Sequence, residues 1–196
     1  MKKVILAALA LVPALAFANP GAYVQAQAGV NIVDSGLTGV STMTGFGGGL
    51  GAGYLWGDNT INYGLELDAI GYPSSSTTDQ GVDLTINGYN ISLLGVLKYT
   101  SCSTGFVAFG KAGAAYVHQK FTVDIPGFGS ANVSGNDVAP EVALGVGYQF
   151  NPNWEVDLTA DWIFGNSGNN NVFSNNGDFN TAQNGNVLAG VTYHFA

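Results

Sequence analysis

The stretch Glu141–Phe164, EVALGVGYQFNPNWEVDLTADWIF, decides the fold. Taken in steps of two, Val142, Leu144, Val146, Tyr148 and Phe150 share one parity, and Glu141, Ala143, Gly145, Gly147 and Gln149 share the other. Asn151-Pro152-Asn153 interrupts the alternation. It then resumes with Trp154, Val156, Leu158, Ala160, Trp162 and Phe164 against Glu155, Asp157, Thr159, Asp161 and Ile163. A period of two marks a strand with two unlike faces. Asn-Pro-Asn is turn chemistry, so the stretch reads as an antiparallel hairpin. One face is apolar and ends in aromatic side chains, whereas the other is mostly small or acidic. That contrast predicts a transmembrane β-barrel, with lipid outside, a polar lumen inside and aromatic girdles at the two interfaces.

The composition agrees. Only 9% of the residues are charged while 12% are aromatic, against about 25% charged in an average soluble domain. A surface facing water needs more charge than this; a surface facing lipid needs none. A soluble lipocalin-like barrel would turn the apolar face inward and expose mostly Gly, Asn, Gln and Thr, which is too little charge for its outside. The chain of 196 residues is long enough for one domain.

It opens with Met1-Lys2-Lys3, an apolar run from Val4 to Leu15, and Ala16-Phe17-Ala18. This is the pattern of a secretory signal peptide cut after Ala18. Residues 1–18 are therefore expected to be a cleaved leader and 19–196 the outer-membrane barrel. The apolar run is shorter than the ~20 residues of a spanning helix. With Lys2 and Lys3 in the leader, Lys98, Lys111 and Lys120 face 13 acids, and there is no Arg. Nucleic acid is a poor partner, because phosphate binding needs cationic side chains, and an anionic-lipid-binding patch is not expected either. The single Cys102 excludes an internal disulfide.

The same period predicts eight strands, at about Ala22–Val33, Gly45–Trp56, Ile61–Tyr72, Thr85–Thr100, Gly105–Gln119, Glu141–Phe150, Trp154–Phe164 and Asn186–Ala196. Polar stretches at Asp34–Thr44, Pro73–Leu84, Lys120–Asp137 and Gly165–Gly185 read as long loops. Gly57-Asp58-Asn59, Ser101–Thr104 and Asn151–Asn153 read as short turns. Long and short connections alternate, as they do when long loops face outward and tight turns face the periplasm. In the fifth strand, Phe106, Ala108, Ala112, Ala114 and Tyr116 are placed outward so that Lys111 lies inside, which turns Phe109 inward as well.

Charge then defines the lumen. A cation facing lipid at mid-bilayer costs roughly 2–4 kcal/mol. The strand charges Glu66, Asp68, Lys98, Lys111, Glu141, Glu155, Asp157 and Asp161 all fall on the inward parity, as does His194. Two lysines cannot neutralise six carboxylates, so the remainder must be hydrated, protonated or paired with a cation. The expected girdle residues are Tyr54, Trp56, Tyr99, Tyr148, Phe150, Trp154, Trp162 and Phe164.

Four segments carry a family resemblance: Tyr63–Tyr72 (YGLELDAIGY), Gly110–Tyr116 (GKAGAAY), Glu141–Phe150 with the following NPNW, and Asn186–Phe195 (NVLAGVTYHF). In order and spacing they resemble the eight-stranded outer-membrane β-barrel proteins of Gram-negative bacteria, of the OmpA membrane domain, OmpX and opacity-protein type. The resemblance spans nearly all of the chain beyond the leader. It implies a location in the outer membrane, contact with its lipid and lipopolysaccharide, and a C-terminal signal for the barrel-assembly machinery. Tyr193 and Phe195 match that signal, with Ala196 after them. It implies no single activity, because members include adhesins, structural anchors and small transport proteins.

No catalytic constellation emerges. His118 and His194 are the only histidines, neither with a close Ser partner, and no Gly-x-Ser-x-Gly elbow is present. The acids Asp79, Asp83, Asp124, Asp137 and Asp178 lie in or beside long loops without calcium-loop spacing. No enzyme activity, cofactor or resident metal is therefore expected, although divalent cations would bridge such acids to lipopolysaccharide. The expected role is structural or adhesin-like, with a host or surface ligand met by the long loops, above all Gly165–Gly185 with Phe173 and Phe179. The alternative is a small channel or transport barrel. It would pass cations along Glu155, Asp157 and Asp161, or small hydrophobic molecules along Leu55, Ile70, Leu94, Val96, Phe109 and Ile163.

Overall fold

The computed structural model describes residues 21–34, 42–58, 60–79, 82–101, 104–125, 129–165 and 182–195. The expected leader and the expected cut after Ala18 lie outside them, as do Cys102, Asp178 and Ala196. Eight strands follow one another in chain order: β1 (Ala22–Asp34), β2 (Met43–Asp58), β3 (Ile61–Asp79), β4 (Val82–Thr100), β5 (Gly105–Ile125), β6 (Gly129–Gln149), β7 (Trp154–Ile163) and β8 (Gln183–His194). Each pairs antiparallel with the next, and β8 returns to β1, closing an up-and-down barrel. No helix among the described residues is long and apolar enough to cross a membrane; the crossing is made by strands.

The alternation read from the sequence is the alternation of the wall. In β7, exposed and buried residues trade places at every step. Leu50, Leu144 and Val138 are 68%, 72% and 66% exposed. A monomeric soluble protein rarely shows contiguous apolar patches of more than a few hundred Å²; here the apolar belt runs round the wall and is covered by lipid. β5 has the phase chosen for Lys111, with Val107, Phe109, Lys111, Ala115 and Val117 all buried inside.

Two of the long loops are not loops. β3 and β4 pair as far as Asp79↔Val82, through most of Pro73–Leu84. β5 and β6 pair from Gly105↔Gln149 to Ile125↔Gly129, through Lys120–Asp137. Their Gly, Ser, Asn and Thr residues lack a lipid-facing apolar parity, yet above the membrane a ladder needs only backbone partners. Pro73 is likewise inside a strand. The β3 register slips against β2 between Phe46 and Gly48 and against β4 between Tyr72 and Ser75. One extra residue in β3 accounts for both slips, so Pro73 sits at a bulge, where a residue without N–H is tolerated. Pro126 and most of Gly165–Gly185 lie outside the described residues, while Gln183–Gly185 belong to β8.

Pro140 sets the height of one side of the wall. Phe164 N donates to Pro140 O at 2.9 Å, and Pro140 has no N–H to donate in return. The β6–β7 ladder accordingly ends at Glu141↔Ile163, although β6 continues back to Gly129. At the opposite end the turns are tight. Gly57 and Gly105 take φ of 140° and 149°, where a Cβ is disfavoured.

Candidate functional site: the lumen

The lumen is filled in layers, described here from the end that holds both termini and the short turns. In the lowest layer Lys98 Nζ lies 2.5 Å from Glu155 Oε2. His194 Nε2 is 3.2 Å from the same oxygen and 3.2 Å from Lys98 Nζ. One layer up, Lys111 Nζ is 2.6 Å from Glu66 Oε1, and the Tyr23 hydroxyl donates to the other Glu66 oxygen. Lys111 also reaches Gln25 Oε1 at 3.4 Å and stands 5.0 Å from the Phe109 ring centre. Gln25 Nε2 in turn donates to Asp157 at 2.9 Å, and Thr159 Oγ1 donates to the other Asp157 oxygen at 3.0 Å. Both lysines are therefore engaged in the lower half.

The upper half has carboxylates but no lysine. Gln27 Nε2 donates to Asp68 at 2.6 Å, Asn186 Nδ2 donates to Asp161 at 2.7 Å, and Ser92 Oγ donates to Glu141. Asn31 donates to Asn186 at 2.6 Å and to Asn184. Asp68 Oδ1 and Asn90 Oδ1 are buried without a hydrogen bond to any described residue. Above this layer the polar character ends. Val33, Met43, Ile86 and Ala182 form a fully buried apolar cluster, beside which Gln119 exchanges hydrogen bonds with the Ala182 backbone.

Glycines make this packing fit. Phe109 pairs with Gly145, and a Cβ on Gly145 would lie 2.1 Å from the Phe109 ring. Tyr23 pairs with Gly53, whose Cβ would come within 2.5 Å of the Tyr23 ring. An inward aromatic thus occupies the room that its cross-strand glycine leaves empty. The lumen void lined by Tyr23, Leu55, Phe109 and Lys111 is about 20 Å³, roughly the space of one water. The apolar lumen residues form separate islands: Leu55 and Val96 join Tyr23, while Ile163 joins Ala115, Val117 and Ala139.

All eight lumen charges read from the sequence are buried here, and His194 is part-buried. Their neutral partners Tyr23, Gln25, Gln27, Ser92 and Asn186 were legible only as inward parity, because no rule of spacing says which amide meets which acid. Of the girdle residues, Trp56, Tyr99, Tyr148, Phe150, Trp154, Trp162 and Phe164 are exposed on the lipid face, and Tyr54 is half-exposed with its ring 5.0 Å from Trp56. Tyr63, Tyr89 and Tyr116 add to the same bands. Tyr193 meets Trp154 and Phe195 edge-on at 4.9 and 5.1 Å.

A closed eight-stranded wall, apolar outside and polar inside, defines a transmembrane barrel of the Gram-negative outer membrane. The chain belongs to the outer membrane protein beta-barrel domain family, which it matches over residues 4–195. No curated protein sequence matches it. Among solved structures it is similar to Neisserial surface protein A, at 18% identity and a TM-score of 0.57, covering 89% of this chain and 97% of that one. It is similar to Ail, the attachment invasion locus protein of Yersinia pestis, at 15% identity and 0.55, with 89% and 97% covered. The N-terminal β-barrel domain of Pseudomonas aeruginosa OprF follows at 16% identity and 0.50, with 88% and 97% covered. At these identities the likeness is one of fold.

Proposed function

We propose that this barrel is a structural and surface-contact protein of the outer membrane, and that its contact region is the sheet β3–β6 where it rises beyond the rest of the wall. The observation carrying this reading is the mismatch in strand length: β6 extends to Gly129, whereas its ladder with β7 stops at Glu141. The projecting part of β6 begins GSANVSGN, small and polar residues whose side away from β5 meets no strand among the described residues. Such an edge favours partners that add a strand or lie along it. Ail has been crystallised with the heparin analogue sucrose octasulfate. The acidic balance here, with 13 acids in the chain, argues for a partner other than a polyanion. The test replaces residues 122–132 with Asn-Gly, joining Phe121 to Val133, and separately deletes residues 166–181. The first change is expected to abolish cell-surface adhesion while the barrel still folds; adhesion unchanged by both deletions would sink the proposal.

The channel and transport alternatives have less support. The filled lumen, the apolar cluster above it and the separated apolar islands favour a plug over a path. Measurable cation current in planar bilayers would reverse that preference. Assembly through Tyr193 and Phe195 belongs to the same proposal: Phe195→Ala is expected to lower the amount of folded barrel in outer-membrane fractions, and an unchanged amount would remove the signal from this pair.

A further inference from the structure

The free side of β6 has a defined length. Phe164 N donates to Pro140 O, so the backbone groups of Pro140 point toward β7. Such groups alternate sides along a strand, and the β5–β6 register runs unbroken from Gly105↔Gln149 to Ile125↔Gly129. In the projecting stretch, Ser130, Asn132, Ser134, Asn136 and Val138 therefore turn N–H and C=O away from β5. At Val138 the N–H is already engaged: Asp137 Oδ1 accepts from it at 2.8 Å, which closes the ladder at that point. Above it, the window from Ser130 to Asn136 holds no charged residue, in a chain of net charge −8. Ser134 and Asn136 are exposed there.

Laid antiparallel against itself, this window is self-complementary. With Val133 at the centre, Ser130 falls opposite Asn136 of a second copy, and Asn132 falls opposite its Ser134. Every serine is thus in register with an asparagine. Each facing pair presents the backbone groups that β5 leaves unused, and such a pair exchanges two hydrogen bonds. The two Asp137 carboxylates end at opposite ends of the new ladder, each opposite Gly129, so like charges do not meet. A two-fold contact uses the same patch on both copies, and the alternation of Ser and Asn meets that demand. We infer that the projecting edge of β6 pairs with the same edge of a second copy of this chain; this rests on the surface-contact function proposed above and names its partner. β6 descends from Gly129 into the wall, so an antiparallel partner descends the other way. The second barrel therefore stands in a facing membrane, with the two Pro140 rims roughly 45 Å apart along the joint ladder.

One barrel per nanodisc removes contacts within a bilayer, and sedimentation velocity then distinguishes single discs from pairs. Discs with the parent barrel are expected to pair, while empty discs stay single. Ser134→Pro deletes an N–H that β5 does not use. It should weaken pairing about tenfold, since two hydrogen bonds leave each pair of copies, with retained β circular dichroism reporting folding. Position 134 faces position 132 of the other copy, so Ser134→Lys discs mixed with Asn132→Asp discs should form mixed pairs severalfold over self pairs. Parent discs that stay single, or mixed pairs no more frequent than chance, would overturn the proposal and leave the edge to residues 166–181 or to a different protein. Loss of adhesion on replacing residues 122–132 would still stand in that event, so the two proposals fail separately.

Discussion

The lower and upper halves of the lumen solve the same problem differently. In the lower half Glu66 and Glu155 each meet a lysine. In the upper half Asp68, Glu141 and Asp161 meet amides and a hydroxyl. A buried ion pair is costly to split, because removing one partner strands the other charge away from water. A carboxylate held by neutral donors has no such partner to lose. The penalty for losing one partner is therefore concentrated at the end nearest the termini.

The largest expected effect tests that concentration. Lys111→Met leaves Glu66 buried with only Tyr23, and should cost about 3–5 kcal/mol in urea unfolding of the barrel in lipid vesicles. The double variant Lys111→Met/Glu66→Leu should recover most of the loss, since both charges leave together. A single variant as stable as its parent would erase the distinction between the halves. A middle-sized effect is expected where packing acts alone. Gly145→Val drives a side chain into the Phe109 ring and should cost about 1–3 kcal/mol. Adding Phe109→Ala should relieve the clash; if it deepens the loss instead, aromatic and glycine do not form a matched pair. The smallest effect belongs above. Asp161→Asn keeps an oxygen for Asn186 Nδ2 and removes a charge that forms no ion pair with a described lysine, so stability should change by less than about 1 kcal/mol. A loss as large as that of Lys111→Met would show that the upper half depends on charge after all.

The wall was legible because lipid imposes a strict rule. Every outward side chain within the belt must be apolar, so Val142, Leu144 and Val146 declare their face without help from neighbours. Lys111 declared its own by being unaffordable outside. Phe109 looked misplaced in a one-dimensional reading because the residue that accommodates it, Gly145, is 36 positions away in the chain. The projecting hairpins were hidden for the opposite reason. Above the membrane no rule distinguishes the two faces, and Ser74–Asp79 or Gly129–Asn136 carry the composition of a loop while pairing as strands. The lumen contacts lay between these extremes: parity placed Gln25, Ser92 and Asn186 inside, but their partners depend on register and barrel width.

The closure of the barrel carries one more consequence. Phe195 N donates to Ala22 O at 2.9 Å, so the first and last strands of the barrel meet at a seam. Until β8 arrives, β1 and β7 each present a raw border, and the half-made sheet has nowhere to hide it within hydrocarbon. The border closes only when β8 has paired with both neighbours, so β8 serves as the clasp.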